Sequence, residues 1–180
     1  MSSILVTGGT GFIGSHTVIL LLKKGYKVYV IDSNINSSDS VIKNILKALK
    51  NEKVNIKENL KFIKGDLRNL KTIQETFDDA LCSGEGINNV IHFAGLKAVG
   101  DSIEYPIKYW DNNVSGTINL LKIMDQFKCR NLIFSSSATI YIPETNKLIK
   151  ENSNIGPINT YGNTKSTIEV MLSDLYKSSP

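Results

Sequence analysis

The sequence predicts a doubly wound α/β fold, a parallel sheet with helices on both faces. Short β-branched runs alternate with longer amphipathic ones along the chain. The first such run leads straight into four glycines within seven residues, in ILVTGGTGFIGSHT from Ile4. The 180 residues, 41% hydrophobic and 21% charged, suffice for one domain, 1–180, with a real core.

Taken in order, residues 4–6 read as a strand, 11–24 as a helix and 27–32 as a second strand, which makes a βαβ unit. A lysine-bearing helix follows at 38–50, then a strand at 60–64, a helix at 70–81 and a strand at 89–93. A long helix at 107–127 leads to a fifth strand at 131–135. Proline, asparagine, glutamate and lysine dominate 142–159, which reads as a loop before a last helix at 160–177. Right-handed crossovers return each strand to the same end of the sheet, so the strands are expected to be parallel.

Charge and cysteine content exclude several functions. The net charge is +4, but Lys43, Lys47, Lys50, Lys53, Lys57, Lys61 and Lys64 are interleaved with Asn, Glu and apolar residues, with no arginine and a single aromatic, Phe62, among them. That pattern is a solvated helix and loop, and no nucleic-acid partner is expected. Cys82 and Cys129 lie far apart without a CxxC or histidine-rich neighbour, so they offer no metal site and no disulfide framework. The first strand starts almost at Met1, and the longest purely apolar run is 18–22. Neither a leader nor a membrane span is expected, and the chain reads as cytoplasmic.

Gly8, Gly11 and Gly14 stand between the first strand and the first helix, in the GxxGxxG form of a dinucleotide fingerprint. Without side chains there, the backbone can turn tightly, admit a pyrophosphate and pack the helix on the sheet, while the helix N-terminus presents free N–H groups. Asp32 ends the second strand 18 residues after Gly14. Its carboxylate can accept the hydroxyls of an adenosine ribose and would repel a 2′-phosphate, which favours NAD over NADP. Asp66 after the third strand and His92–Gly95 after the fourth fall at carboxyl ends, where ligands gather in open α/β sheets. Asp66 is placed to hold the adenine amino group, whereas His92 and His16 read as structural.

Tyr161 and Lys165, in YGNTK, are spaced i,i+4 and share a helical face. A phenol with a reference pKa of about 10 needs help to act as a base near neutrality. A neighbouring ammonium favours the phenolate and supplies that help. Lys165 is also placed to reach a nicotinamide ribose. FSSSATIY ends the fifth strand with three serines. A hydroxyl there can bond the substrate oxygen that Tyr161 deprotonates, giving a Ser-Tyr-Lys triad, although serines at such a position also cap the following turn.

VTGGTGFIGSHT, HFAGLKAVGDS, YWDNNVSGT, FSSSAT and YGNTK, in this order, resemble the motifs of the extended short-chain dehydrogenase/reductase family and, within it, the UDP-hexose 4-epimerases. The resemblance implies that Phe12, Ile13, Asp32, Ser33, Asn34, Ile35, Asn36, Ser37, Asp66, Leu67, Phe93, Ala94, Gly95, Leu96, Lys97 and Asn112 line an NAD site together with the glycine turn, Tyr161 and Lys165. It also implies that Ser137, Tyr161 and Lys165 are catalytic and that Lys97, Ser137 and Tyr161 meet a UDP-sugar substrate. The implied reaction inverts C4 of a UDP-hexose, as between UDP-glucose and UDP-galactose. Tyr161 takes the 4-hydroxyl proton, NAD takes the C4 hydride, and the bound 4-keto sugar turns over before the hydride returns to its other face.

A nucleotide-sugar 4,6-dehydratase starts with the same oxidation but needs an added acid and base to eliminate water. Its Asp-Glu pair after the triad hydroxyl is replaced here by Ala138 and Thr139. Two departures from the epimerase pattern stand out. Ile142 occupies a usual glycine, and the resemblance accounts for only about the first half of the family's protein, without the lobe that grips uridine diphosphate. A non-catalytic dinucleotide-binding module and one part of a truncated or split enzyme are the alternative readings. The resemblance further implies pairing with a second copy through the helix at 107–127, or with a chain that supplies the missing lobe.

Overall fold

The computed structural model describes residues 3–50, 52, 55–143 and 148–178. They form two compact units, one of residues 1–94 and 119–135 and the other of residues 95–118 and 136–180.

The first unit contains a five-stranded parallel sheet: β1 (Ser3–Thr7), β2 (Lys27–Asp32), β3 (Leu60–Lys64), β4 (Ile87–His92) and β5 (Asn131–Phe134). The spatial order is β3-β2-β1-β4-β5, with every neighbouring pair parallel. The chain therefore builds outward from β1 in one direction, then crosses back to build in the other. β1 lies at the centre and is buried along its whole length.

Alternation along the strands sends side chains to opposite faces of the sheet. Leu5, Tyr29, Ile31 and Val90 face one way, where they pack with Ile73, Phe77 and Ala80 of α4 (Leu70–Cys82) and with Leu120, Ile123 and Met124 of α7 (Gly116–Gln126). Ile4, Val6, Val28 and Val30 face the other way, against Val18 and Leu22 of α1 (Phe12–Lys23) and Ile45 of α2 (Ser40–Ala48). Each face thus has its own apolar core, as the doubly wound reading requires. A single turn, α3 (Ile56–Asn59), precedes β3.

The second unit is helical and carries the largest difference from the sequence reading. The expected helix at 107–127 runs without a break as α6 (Pro106–Tyr109), a π-helical segment (Trp110–Ser115) and α7, and a short helix absent from that reading, α5 (Val99–Glu104), precedes it. Pro106 occupies the first turn of α6, where its missing N–H costs nothing. The apolar periodicity of 107–127 gave no sign of the wider π turn, because an amphipathic pattern tolerates one added residue. A 3₁₀ turn (Ala138–Ile140) follows β5, and α8 (Thr160–Ser178) ends the described chain. Ile155, within the expected loop at 142–159, forms an antiparallel bridge with Tyr141 just before it, while residues 144–147 lie outside the described ones.

Lys43, Lys47, Lys50, Lys61 and Lys64 are exposed, and the last two pair with Asp79 and Asp39. Lys53 lies outside the described residues. Cys82 is exposed and Cys129 buried, and burial pushes the Cys129 thiol up. Among the described residues no helix is long and apolar enough to cross a membrane.

Candidate functional site

In the first unit, parallel strands bring their carboxyl ends to one edge of the sheet. Gly8, Asp66 and Phe93 follow strand ends there and Asp32 is the last residue of β2, and the backbone is stitched across the ends by Gly8 N–H to Ile31 O (2.8 Å), Gly65 N–H to Asp32 O (3.0 Å) and Phe93 N–H to Thr7 O (3.0 Å).

Gly8 has φ +69°, a conformation that favours glycine, and a β-carbon there would lie 2.6 Å from the Ala94 backbone nitrogen. A β-carbon on Gly14 would collide with the Gly8 carbonyl oxygen. Gly11 caps α1 with no side-chain acceptor of its own, so the turn leaves helix N–H groups facing outward from a cradle of bare backbone. Such a cradle suits an anion. Phe12 and Ile13, the next two residues, are largely exposed. His16 is also exposed, with Nδ1 2.8 Å from the Phe12 carbonyl oxygen.

Asp32 organises the adjoining loop. Its Oδ2 accepts the Thr10 N–H at 3.0 Å, and its Oδ1 accepts the Asn34 N–H at 2.9 Å and the Ser37 hydroxyl at 3.1 Å. Thr10 in turn donates to Asn34 Oδ1 (2.9 Å) and lies 2.7 Å from Ser37 Oγ. The 32–37 segment is thereby tied to the glycine turn, with Asn34 at φ +56°. These bonds use three of the roughly four acceptor positions of the carboxylate. Ser33, Ile35 and Asn36 fill the same loop, with the Ile35 side chain exposed.

Asp66 is engaged by its own neighbour. The Arg68 guanidinium pairs with its carboxylate at 2.7 Å and holds it below the usual carboxylate range. Leu67 is buried, and its carbonyl accepts from Asn119 Nδ2 at 3.2 Å. His92 is buried, as expected of a structural histidine, with Nδ1 2.6 Å from Thr7 Oγ1.

The second unit holds Gly95, Leu96, Lys97, Asn112, Ser137, Tyr161 and Lys165. Tyr161 and Lys165 lie in the first turns of α8, and Lys165 Nζ stands 6.0 Å from the Tyr161 ring centroid. Lys165 is only 5% exposed, and burial pushes its amine down to about 8. Where Gly95 has no side chain, a β-carbon would lie 3.7 Å from Lys165 Nζ and 3.3 Å from Asn113 Oδ1. The missing side chain therefore lets the lysine come close to the backbone.

Asn112, the residue the sequence points to, is half-buried, and its neighbour Asn113 makes the contacts. Asn113 is buried in the π segment and grips Leu96 at both ends of the residue, accepting its N–H at 2.8 Å and donating to its carbonyl at 3.0 Å. It also donates to Thr164 Oγ1 at 3.1 Å. The signal was two adjacent asparagines inside a helix, a residue type that helix interiors disfavour. Tyr109, also buried, donates to the Ala98 carbonyl at 2.8 Å. Burial, joined by the Asp101 carboxylate, pushes its phenol up to about 12. Asn113 and Tyr109 together fix the backbone on either side of Lys97, whose own side chain is exposed.

Ser137 caps the 3₁₀ turn, accepting the Thr139 N–H at 3.2 Å, and its Oγ lies 2.9 Å from Thr139 Oγ1. The capping role thus falls on the serine singled out for chemistry, while Ser136 Oγ is buried with no hydrogen-bond partner among the described residues. Ile142, the departure from the epimerase pattern, packs over Gly156. A β-carbon on Gly156 would lie 2.5 Å from Ile142 Cγ1, so the bulk at 142 is matched by its absence at 156.

The family model described as GDP-mannose 4,6 dehydratase matches residues 5–180. UDP-glucose 4-epimerase 2 of Arabidopsis thaliana is 44% identical over 176 residues, which are 98% of this chain and 48% of that protein. The bifunctional UDP-glucose 4-epimerase and UDP-xylose 4-epimerase 1 of Pisum sativum is 42% identical over 177 residues, with the same shares. Among solved structures, UDP-glucose 4-epimerase from Bifidobacterium longum in complex with NAD+ and UDP superposes with a TM-score of 0.86 at 38% identity, over 99% of this chain and 50% of that one. The chain spans about half the length of the curated relatives it matches. From its first strand to its last helix it therefore belongs to the family described as GDP-mannose 4,6 dehydratase, and within that family it is similar to the UDP-glucose 4-epimerases.

Proposed function

We propose that this chain is the NAD-binding portion, residues 1–180, of an enzyme that inverts C4 of a UDP-hexose. The observation that carries this reading is the buried Lys165 beside Tyr161 on α8, together with a glycine turn shaped for a dinucleotide in the same chain. Similarity to UDP-glucose 4-epimerases along the whole chain supports the substrate class.

The residues present fit NAD. A β-carbon at Gly8 or Gly14 would fill the cradle, and Asp32 keeps acceptor capacity beside it while opposing a 2′-phosphate. Gly8, Gly11, Phe12, Ile13 and Gly14, with the 32–37 loop, Asp66, Leu67, Phe93 and Ala94, would hold the cofactor. Gly95, Leu96, Lys97, Asn112, Tyr161 and Lys165 of the second unit are the remaining residues proposed to contact it. When bound, NAD supplies reversible acceptance of the C4 hydride.

The chain's own residues manage the proton and the orientation. Tyr161 takes the proton of the sugar 4-hydroxyl and later returns it. Lys165, charged below about pH 8, holds its ammonium 6.0 Å from the Tyr161 ring centroid. Ser137 and Lys97 orient the sugar oxygen. The carbon from which bound NAD would accept the hydride is the one whose hydroxyl proton Tyr161 takes and returns.

The test uses UDP-galactose deuterated at C4. The expected product is UDP-glucose that still carries the label, with no label lost to solvent and no net reduction of NAD. A product lighter by one water would assign elimination instead. NAD binding without any conversion would leave a non-catalytic dinucleotide module.

A further inference from the structure

The first turn of α8 carries the proposed base, and its backbone is fixed by side chains drawn from distant segments. Helix N-termini leave N–H groups without intrahelical partners. Asn159 Oδ1 takes the Gly162 N–H at 2.8 Å, as a local cap does. The Tyr161 N–H is taken by Ser102 of α5, 59 positions away in sequence, at 3.1 Å. Ser102 is fully buried and uses its hydroxyl in both senses, since it also donates to the Val99 carbonyl at 2.6 Å. The Tyr161 carbonyl is held as well, accepting from Thr164 Oγ1 at 2.7 Å, and that hydroxyl in turn accepts from Asn113 Nδ2. Behind the turn, a β-carbon on Gly162 would lie 2.5 Å from the Thr139 carbonyl oxygen, so the helix start is seated against backbone.

We infer that Ser102 is a positioning residue for Tyr161: by capping the Tyr161 N–H from α5, it fixes where the phenol stands relative to Lys165. The inference rests on the proposed role of Tyr161 as base. Geometry favours it over a purely stabilising role, because α8 already has a local cap in Asn159, and the bond from Ser102 falls on the backbone of the reacting residue itself. Alanine at 102 would leave a part-buried N–H unsatisfied, and the first turn would relax to recover a partner. Threonine keeps the hydroxyl.

The test labels the chain with 3-fluorotyrosine and assigns the Tyr161 fluorine signal as the one lost in Tyr161→Phe. Ser102→Ala is expected to shift or broaden that signal while Tyr26 and Tyr176, on exposed surface, stay unchanged, and Ser102→Thr is expected to restore it. In turnover, Ser102→Ala is expected to lower kcat at least tenfold, with KM and NAD affinity within twofold. If Ser102→Ala does not fold, Ser102→Cys, with its weaker donor and acceptor, is read in the same way. A Tyr161 signal identical to that of the unsubstituted chain, alongside a lowered Tm, would overturn the inference and leave Ser102 as a stabilising cap alone. Should the epimerase reading itself fail, NAD-loaded protein would show no conversion while the Tyr161 signal still responded to Ser102→Ala.

Discussion

Lys165 shows how one side chain can be set by its surroundings. A buried amine pushed down to about 8 binds fewer protons folded than unfolded, where its value is near 10.5. Stability therefore rises with pH between those values, by at most about 3 kcal/mol. Denaturant titrations of the chain and of Lys165→Met from pH 7.5 to 10.5 are expected to show the difference between them moving in favour of lysine as pH rises. A constant difference would mean that the amine is not held in a dry site. Asp32 makes a second prediction at this scale. Calorimetry is expected to show NAD bound at least tenfold more tightly than NADP, and Asp32→Ser to narrow that gap. Both residues were legible in the sequence, because i,i+4 spacing and a strand-end acid follow from local geometry. Asn113 and Ser102 were not, since each acts through partners 17 and 59 positions away, distances that only the fold closes.

At the scale of elements, the turn after β1 leaves no room for substitution. Gly14→Ala would drive a methyl into the Gly8 carbonyl, and is expected to cost about 2 kcal/mol or more in stability and to abolish NAD binding. Thermal unfolding and calorimetry check the two halves of that prediction separately. Ile142 and Gly156 form a second matched pair. Overpacking a filled contact costs about 1–3 kcal/mol, so Gly156→Ala is expected to destabilise the chain by that order, and Ile142→Ala to relieve most of it in the double variant. β2 and β3 match the sequence reading at both ends, because β-branched runs bounded by turn residues leave little ambiguity. α5 escaped it: six residues after a glycine-bearing loop are too few to show a helical period. The π segment escaped for a different reason, since its added residue alters hydrogen bonding without breaking the apolar face.

At the scale of the whole molecule, the sheet order β3-β2-β1-β4-β5 reverses direction at β1, and the proposed anion cradle lies at the carboxyl end of that central strand, where open α/β sheets bind ligands. Alternating strands and helices predicted this architecture, though not the gathering of residues 95–118 and 136–180 into a unit of their own, which depends on contacts between segments far apart in sequence. Remote contacts to a nucleotide normally help to position the reacting sugar, so a chain spanning about half of its relatives places the question of turnover squarely on these 180 residues. The most direct measurement incubates the purified chain with NAD and UDP-galactose and separates the UDP-hexoses by chromatography. UDP-glucose is expected to form, and Tyr161→Phe to abolish it while NAD binding persists; UDP-glucose formed equally well by Tyr161→Phe would contradict the assignment of Tyr161 as the base.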